Sequence, residues 1–219
     1  MMFVMEAKPK SVEAEAYRSL RSNIEYSAFD GEYKVIVVTS SLPSEGKSLT
    51  AGNLALALAQ GDKKVLLVDC DMRKPSLHKK FKISNVSGIS DLLLNKGTME
   101  SVVNNYSDNL TIITAGKVPP NPAEMLASKV MTKFIDEMRN HFDYIILDTP
   151  PLQAVTDAQI LATKADGVLL VVRSKTTKKD AVEASVDLIN KVNGKIIGTV
   201  LNAVDNLHNK YYYYYGDEK

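Results

Sequence analysis

The chain has 219 residues, 45% of them hydrophobic and 24% charged, which is the composition of a folded globular domain with room for a sizeable core. Lys and Arg number 27 against 26 Asp and Glu, and a net charge of only +1 gives nucleic acid no electrostatic support as a partner. The single cysteine, Cys70, excludes an internal disulfide and a four-cysteine metal site, and suits a reducing compartment.

The first residues, MMFVMEAKPK, hold too short an apolar run for a signal peptide, and their positive charge follows that run. No apolar stretch approaches the roughly 20 residues of a membrane span. Residues 12–28 predict a helix standing outside the sheet. It carries Glu15, Arg18 and Arg21 in the spacing E-x-x-R-x-x-R, which sets the charges on adjoining parts of one face. Taken alone, that spacing describes an exposed Glu15–Arg18 pair worth about 0.2–0.5 kcal/mol.

Six short apolar runs then read as buried strands: VIVV at 35–38, VLLV at 65–68, LTII at 110–113, YIIL at 144–147, GVLLVV at 167–172 and IIGTVL at 196–201. Helical spacing occupies 48–59, 127–142 and 180–192. The second places Val130, Phe134, Ile135 and Met138 on one face, the third Val182, Val186, Ile189 and Val192. Asn121-Pro122 starts a short helix. Alternating strand and helix predict an α/β fold, a doubly wound, mostly parallel sheet with helices on both faces. Ligands bind such sheets beyond the C-terminal ends of the strands. The expected division is an N-terminal segment and helix at 1–30, an α/β domain at 31–203, and a flexible tyrosine-rich tail at 204–219.

After the first strand comes SLPSEGKS at 41–48, which matches G-x-x-x-x-G-K-[ST] except that Ser41 holds the first glycine's place. Backbone N–H groups and a helix N-terminus would surround phosphates here, through Ser44, Glu45, Gly46, Lys47, Ser48 and Leu49. Lys47 would reach the outer phosphates and the Ser48 hydroxyl would ligate Mg²⁺. Ser41 is expected to loosen the loop, because serine tolerates a positive φ less well than glycine. Two further strand ends carry acids: Asp69 and Asp71 after VLLV, and Asp148 after YIIL. A lone Asp after a strand is usually a turn residue. Three on the edge that bears Lys47 suit a metal shell or a proton acceptor instead.

SSLPSEGKS, VLLVDCDMRKP, VPPNPAEML and YIILDTPP, in this order, resemble the cytoplasmic domain of bacterial protein-tyrosine kinases of capsule and exopolysaccharide export, within the MinD/ParA-like P-loop superfamily. The likeness runs from about residue 15 to 202. It implies ATP and Mg²⁺ as cofactors, Lys47 and Ser48 on ATP–Mg²⁺, Asp71 and Asp148 in the metal shell, and Asp69 orienting or deprotonating a tyrosine hydroxyl. Spacing alone does not separate the tasks of Asp69 and Asp71. Arg73 suits a phosphate contact or an ion pair as well as a free surface position. Arg173 and Asn202, at the last two strand ends, resemble adenine-side positions. Glu15, Arg18 and Arg21 match a motif that joins subunits into a ring. The likeness also implies a membrane-spanning activator of the polysaccharide co-polymerase kind, other tyrosine-bearing protein substrates, and a cytoplasmic place at the inner face of the plasma membrane, reached through that partner.

Tyr211, Tyr212, Tyr213, Tyr214 and Tyr215 form an unbroken row near the end. Ten residues separate Leu201 from Tyr211, a reach of at most about 33–36 Å. Such a tether reaches its own site or a neighbour's, and the row is expected to be the phosphate acceptor. A sticky end is the plain alternative. Two other functions fit the phosphate loop: a regulatory ATPase of the MinD and ParA type, and a nucleotide-gated scaffold without kinase activity. Against the first, Leu42 stands where those ATPases carry an extra lysine, and their mechanism has no use for five tyrosines.

Overall fold

The structure, a computed structural model, describes residues 3–27 and 33–205. Among these residues seven strands make one sheet: β1 (Val35–Ser40), β2 (Val65–Asp69), β3 (Val103–Ser107), β4 (Leu110–Ile113), β5 (Tyr144–Asp148), β6 (Gly167–Arg173) and β7 (Ile196–Asn202). Their spatial order is β3-β4-β2-β5-β1-β6-β7. Every neighbouring pair is parallel except β3 with β4.

The helices are α1 (Val4–Ala7), α2 (Val12–Tyr26), α3 (Lys47–Ala59), α4 (Leu77–Phe81), α5 (Ile89–Leu93), α6 (Met99–Val102), α7 (Pro122–Ala127), α8 (Lys129–Met138), α9 (Asp157–Ala162) and α10 (Lys179–Asn190). Successive side chains of a strand point to opposite faces, so the apolar runs feed two cores. Val35, Val37, Leu66, Val68, Ile145 and Leu147 join residues of α5 and α7–α10 on one face. Ile36, Val38, Val65, Leu67 and Ile146 join α1–α4 on the other. α3 lies under α2 and is buried nearly all round, as its Leu/Ala composition requires.

Three departures from the sequence reading have plain causes. β3 is a half-exposed antiparallel edge strand of mainly polar residues, so it shows no apolar run. The segment 127–142 is not one helix: Ser128 caps α8 by accepting a hydrogen bond from the Met131 N–H, which separates it from α7. That restart shifts the phase, and Met131 faces the core while Val130 is exposed.

The first residues are not an idle end. Phe3 and Met5 are buried, and Phe3 stacks on Phe81 with ring centroids 4.3 Å apart. A Cβ on Gly52 of α3 would stand 2.2 Å from the Phe3 ring, so glycine permits this close approach. The Asn53 side chain accepts from the Met5 N–H, and the Tyr106 hydroxyl donates to Glu6.

Candidate active site

The C-terminal ends of β1, β2 and β5 are adjacent because β5 lies between β1 and β2, with Val38 level with Asp148 and Asp148 level with Asp69. Two reciprocal bonds tie the end of β1 to the loop that follows β5. The Thr39 hydroxyl donates to the Pro150 carbonyl, and the Thr149 hydroxyl donates to the Val38 carbonyl.

From β1 the chain turns into α3 through residues 41–46. Gly46 has φ +100° at the helix start, where only glycine is at ease, and a Cβ there would lie 1.9 Å from the Asn202 amide nitrogen. The strained non-glycine in the turn is Ser44, at φ 65°. Ser41 has no positive φ, so the expected loosening at that position does not arise. The buried Glu45 side chain braces the loop, accepting from the Leu42 N–H and from the Thr177 hydroxyl. Asn202 donates to the Glu45 carbonyl and Arg173 to the Ser44 carbonyl. These two residues thus hold the phosphate loop itself. Below it, Lys47, Ser48 and Leu49 open α3 with backbone N–H groups that have no partner within the helix, so the helix end attracts anions.

Lys47 Nζ lies 3.1 Å from Asp71 Oδ2. Burial would lower its pKa, but Asp148 and Asp71 outweigh burial and raise it, so the charge is secure. Asp71 is fixed in turn by the Lys74 N–H on its other oxygen. Asp69 is fully buried and accepts three backbone N–H groups, from Asp71 on Oδ1 and from Ser76 and Leu77 on Oδ2. Asp148 differs: it is fully buried, and neither oxygen has a well-aligned hydrogen bond among the described residues. Burial pushes Asp69 up to about 8, reinforced by the charge of Asp148, and pushes Asp148 up to about 6, reinforced by the charge of Asp71. Lys47 and the Ser48 hydroxyl beside it hold Asp148 back. Cys70, between the two acids of β2's end, is buried, which raises its thiol pKa well above the ordinary value.

An unpartnered carboxylate next to a serine hydroxyl is a donor set of hard oxygens, which fits Mg²⁺. No three acidic, histidine or cysteine side chains gather into a cage among the described residues. Mg²⁺ needs none, since it commonly takes one or two carboxylates together with substrate phosphates.

Arg73 forms a two-pronged pair with the buried Asp157 on α9, at 3.0 and 3.1 Å. Nothing in the spacing of residues 84 apart could show this link. On α2, Glu15 and Arg18 pair at 2.8 Å, and Arg18 also reaches the Pro9 carbonyl. Arg21 donates to the Ala57 carbonyl of α3. Tyr211–Tyr215 fall outside the described residues.

A glycine-hinged loop at a helix start, a half-buried lysine and acids on two neighbouring strands define a P-loop nucleotide-binding protein. A family model described as an AAA domain matches residues 33–202. The tyrosine-protein kinase YwqD of Bacillus subtilis is 42% identical over 210 residues, spanning 95% of this chain and 89% of that protein. The solved kinase domain of the Escherichia coli tyrosine kinase ETK has a TM-score of 0.90 at 31% identity and covers 97% of this chain and 84% of its own. The solved chimerical protein CapA2B2 has a TM-score of 0.87 at 39% identity, covering 91% and 88%. The chain belongs to this family of P-loop tyrosine-protein kinases.

Proposed function

We propose that the chain transfers the γ-phosphoryl group of ATP to tyrosine hydroxyls, its own Tyr211–Tyr215 first, as part of capsule or exopolysaccharide export. The observation that carries this reading is the convergence of Lys47, Ser48, Asp69, Asp71 and Asp148 on one sheet edge. The loop N–H groups and Lys47 bind and orient the phosphates. Ser48 and Asp148 would hold Mg²⁺, with Asp71 beside them, and the ion would neutralise charge between the outer phosphates.

The tyrosine oxygen forms a bond to the γ-phosphorus as the bond to the β,γ-bridging oxygen breaks, and ADP leaves. The hydroxyl proton passes to Asp69. A carboxylate of ordinary pKa is a poor acceptor for a phenol near 10. Burial raises the Asp69 pKa, which makes its ionised form a stronger base, and the Ser76 and Leu77 N–H groups favour that ionised form. Its three N–H donors leave about one lone-pair site of the carboxylate's four without a donor.

Glu15 and Arg18 lie on the outer face of α2, where they suit contact between subunits of a ring; Arg21 supports that face from within. A membrane-spanning activator would bring the chain to the inner face of the plasma membrane. Among the described residues no helix is long and apolar enough to cross a membrane. The test is stoichiometric. With purified chain, Mg²⁺ and ATP, phosphotyrosine should accumulate in proportion to ADP until the acceptors are filled. Steady ADP production with no phosphotyrosine, with and without the activator, would favour the regulatory ATPase.

A further inference from the structure

From Arg73 to Ser90 the sequence contains no acidic residue, yet Arg73, Lys74, Lys79, Lys80 and Lys82 lie close together in it. Such a concentration is unusual in a chain whose basic and acidic residues balance. Arg73 is committed to Asp157. The four lysines make no ion pair among the described residues. Lys74, Lys79 and Lys82 are exposed, and Lys80 is half-buried.

These charges stand on a rigid platform fastened to the reacting acids. The Lys74 N–H binds Asp71, and the Ser76 and Leu77 N–H groups at the start of α4 bind Asp69. Phe81, at the far end of α4, is buried against Phe3. Lys80 is near enough to Asp148 to favour its charged form. The nucleotide loop belongs to other elements, β1 and α3. An acceptor tyrosine that presents its hydroxyl to Asp69 meets the segment that carries these lysines, because that segment supplies two of the N–H groups on Asp69. In this chain the tyrosine row is followed by Gly216, Asp217 and Glu218. Each phosphate added to the row brings about −1.5 to −2 charges at pH 7.

We propose that Lys74, Lys79 and Lys82 recognise acidic or already phosphorylated residues flanking the acceptor tyrosine. The enzyme then prefers anionic tyrosine segments, and the first phosphate in a row accelerates the next. This inference rests on the kinase reading above. Exposed charges are screened over about 10 Å at 0.1 M salt, so the preference is electrostatic in origin and fades as salt rises.

The experiment uses the full chain, wild type and K74Q/K79Q/K82Q, with three labelled peptides: YYYYYGDEK, its neutral counterpart YYYYYGNQK, and YYYYYGDEK carrying one phosphotyrosine. Peptide affinity is read by fluorescence anisotropy, and kcat/KM from transfer with Mg²⁺ and ATP. Wild type should favour the acidic peptide over the neutral one by about tenfold at low salt, the scale of a few exposed charge contacts, and the phosphorylated peptide further still. The variant should treat all three alike while keeping the wild-type rate on the neutral peptide. Equal losses on every peptide, or a wild type indifferent to charge, would overturn the proposal. So would lysine-dependent binding to phosphatidylserine vesicles without any peptide preference, which would make the platform a membrane contact. If the acidic peptide binds through the lysines but no peptide is phosphorylated, the recognition surface stands and the kinase reading falls.

Discussion

Replacing Asp148 with Asn should stabilise the protein while disabling its site. The carboxyl is fully buried without a well-aligned partner among the described residues, and burial lifts its pKa from 3.8 to about 6. A carboxyl whose folded pKa exceeds its unfolded one holds its proton more tightly when folded. The chain therefore loses stability as pH rises from about 4 to about 6, and above that bears the full cost of the buried charge. At about 1.36 kcal/mol for each tenfold change in proton affinity, this cost is on the order of 3 kcal/mol. An amide in the same place still lacks good partners, which returns about 1 kcal/mol of the gain. D148N should thus exceed wild type by about 2 kcal/mol at pH 8, about 4–8 °C in Tm for a chain of this size. The gap should shrink towards pH 5. Thermal melts between pH 5 and 8.5 in chelator measure this directly. Adding Mg²⁺ and ATP should reverse the order, since wild type gains about 2.7 kcal/mol at a hundredfold excess over Kd and D148N little. A variant no more stable than wild type at pH 8, or one whose advantage does not change with pH, would refute the reasoning.

Two more substitutions probe the supports of the site. G46A forces a side chain into left-handed backbone and against Asn202; it should cost about 1–2 kcal/mol in the fold and weaken ATP binding at least tenfold by titration calorimetry. F3A empties a filled position against Phe81 and Gly52. It should cost about 3 kcal/mol, or about 6–12 °C in Tm, and a loss below about 1 kcal/mol would mean that the first residues are not part of the core.

The sheet was legible wherever a strand is buried on both faces, because VIVV, VLLV, YIIL and GVLLVV leave little room for another reading. β3 was not, since an edge strand such as Val103–Ser107 needs only one apolar face. α4, α5 and α9 are too short to show a period of 3.6, and α4 is the element that carries both the N–H groups on Asp69 and the exposed lysines. The gathering of Lys47, Ser48, Asp69, Asp71 and Asp148 at one sheet edge could be read because they sit at strand ends in a known spacing. The supports could not. Arg73 with Asp157, Asn202 with Glu45, Arg173 with Ser44 and Phe3 with Phe81 are contacts between distant parts of the chain, and no local pattern announces them.

The most direct measurement is mass-spectrometric mapping of phosphate on the full chain after incubation with Mg²⁺ and ATP, beside K47M prepared without phosphate. Phosphate on Tyr211–Tyr215 in wild type and none in K47M is the expected result. Phosphate at those tyrosines in both chains, or in neither while wild type turns over ATP with its activator present, would contradict a tyrosine kinase built on Lys47.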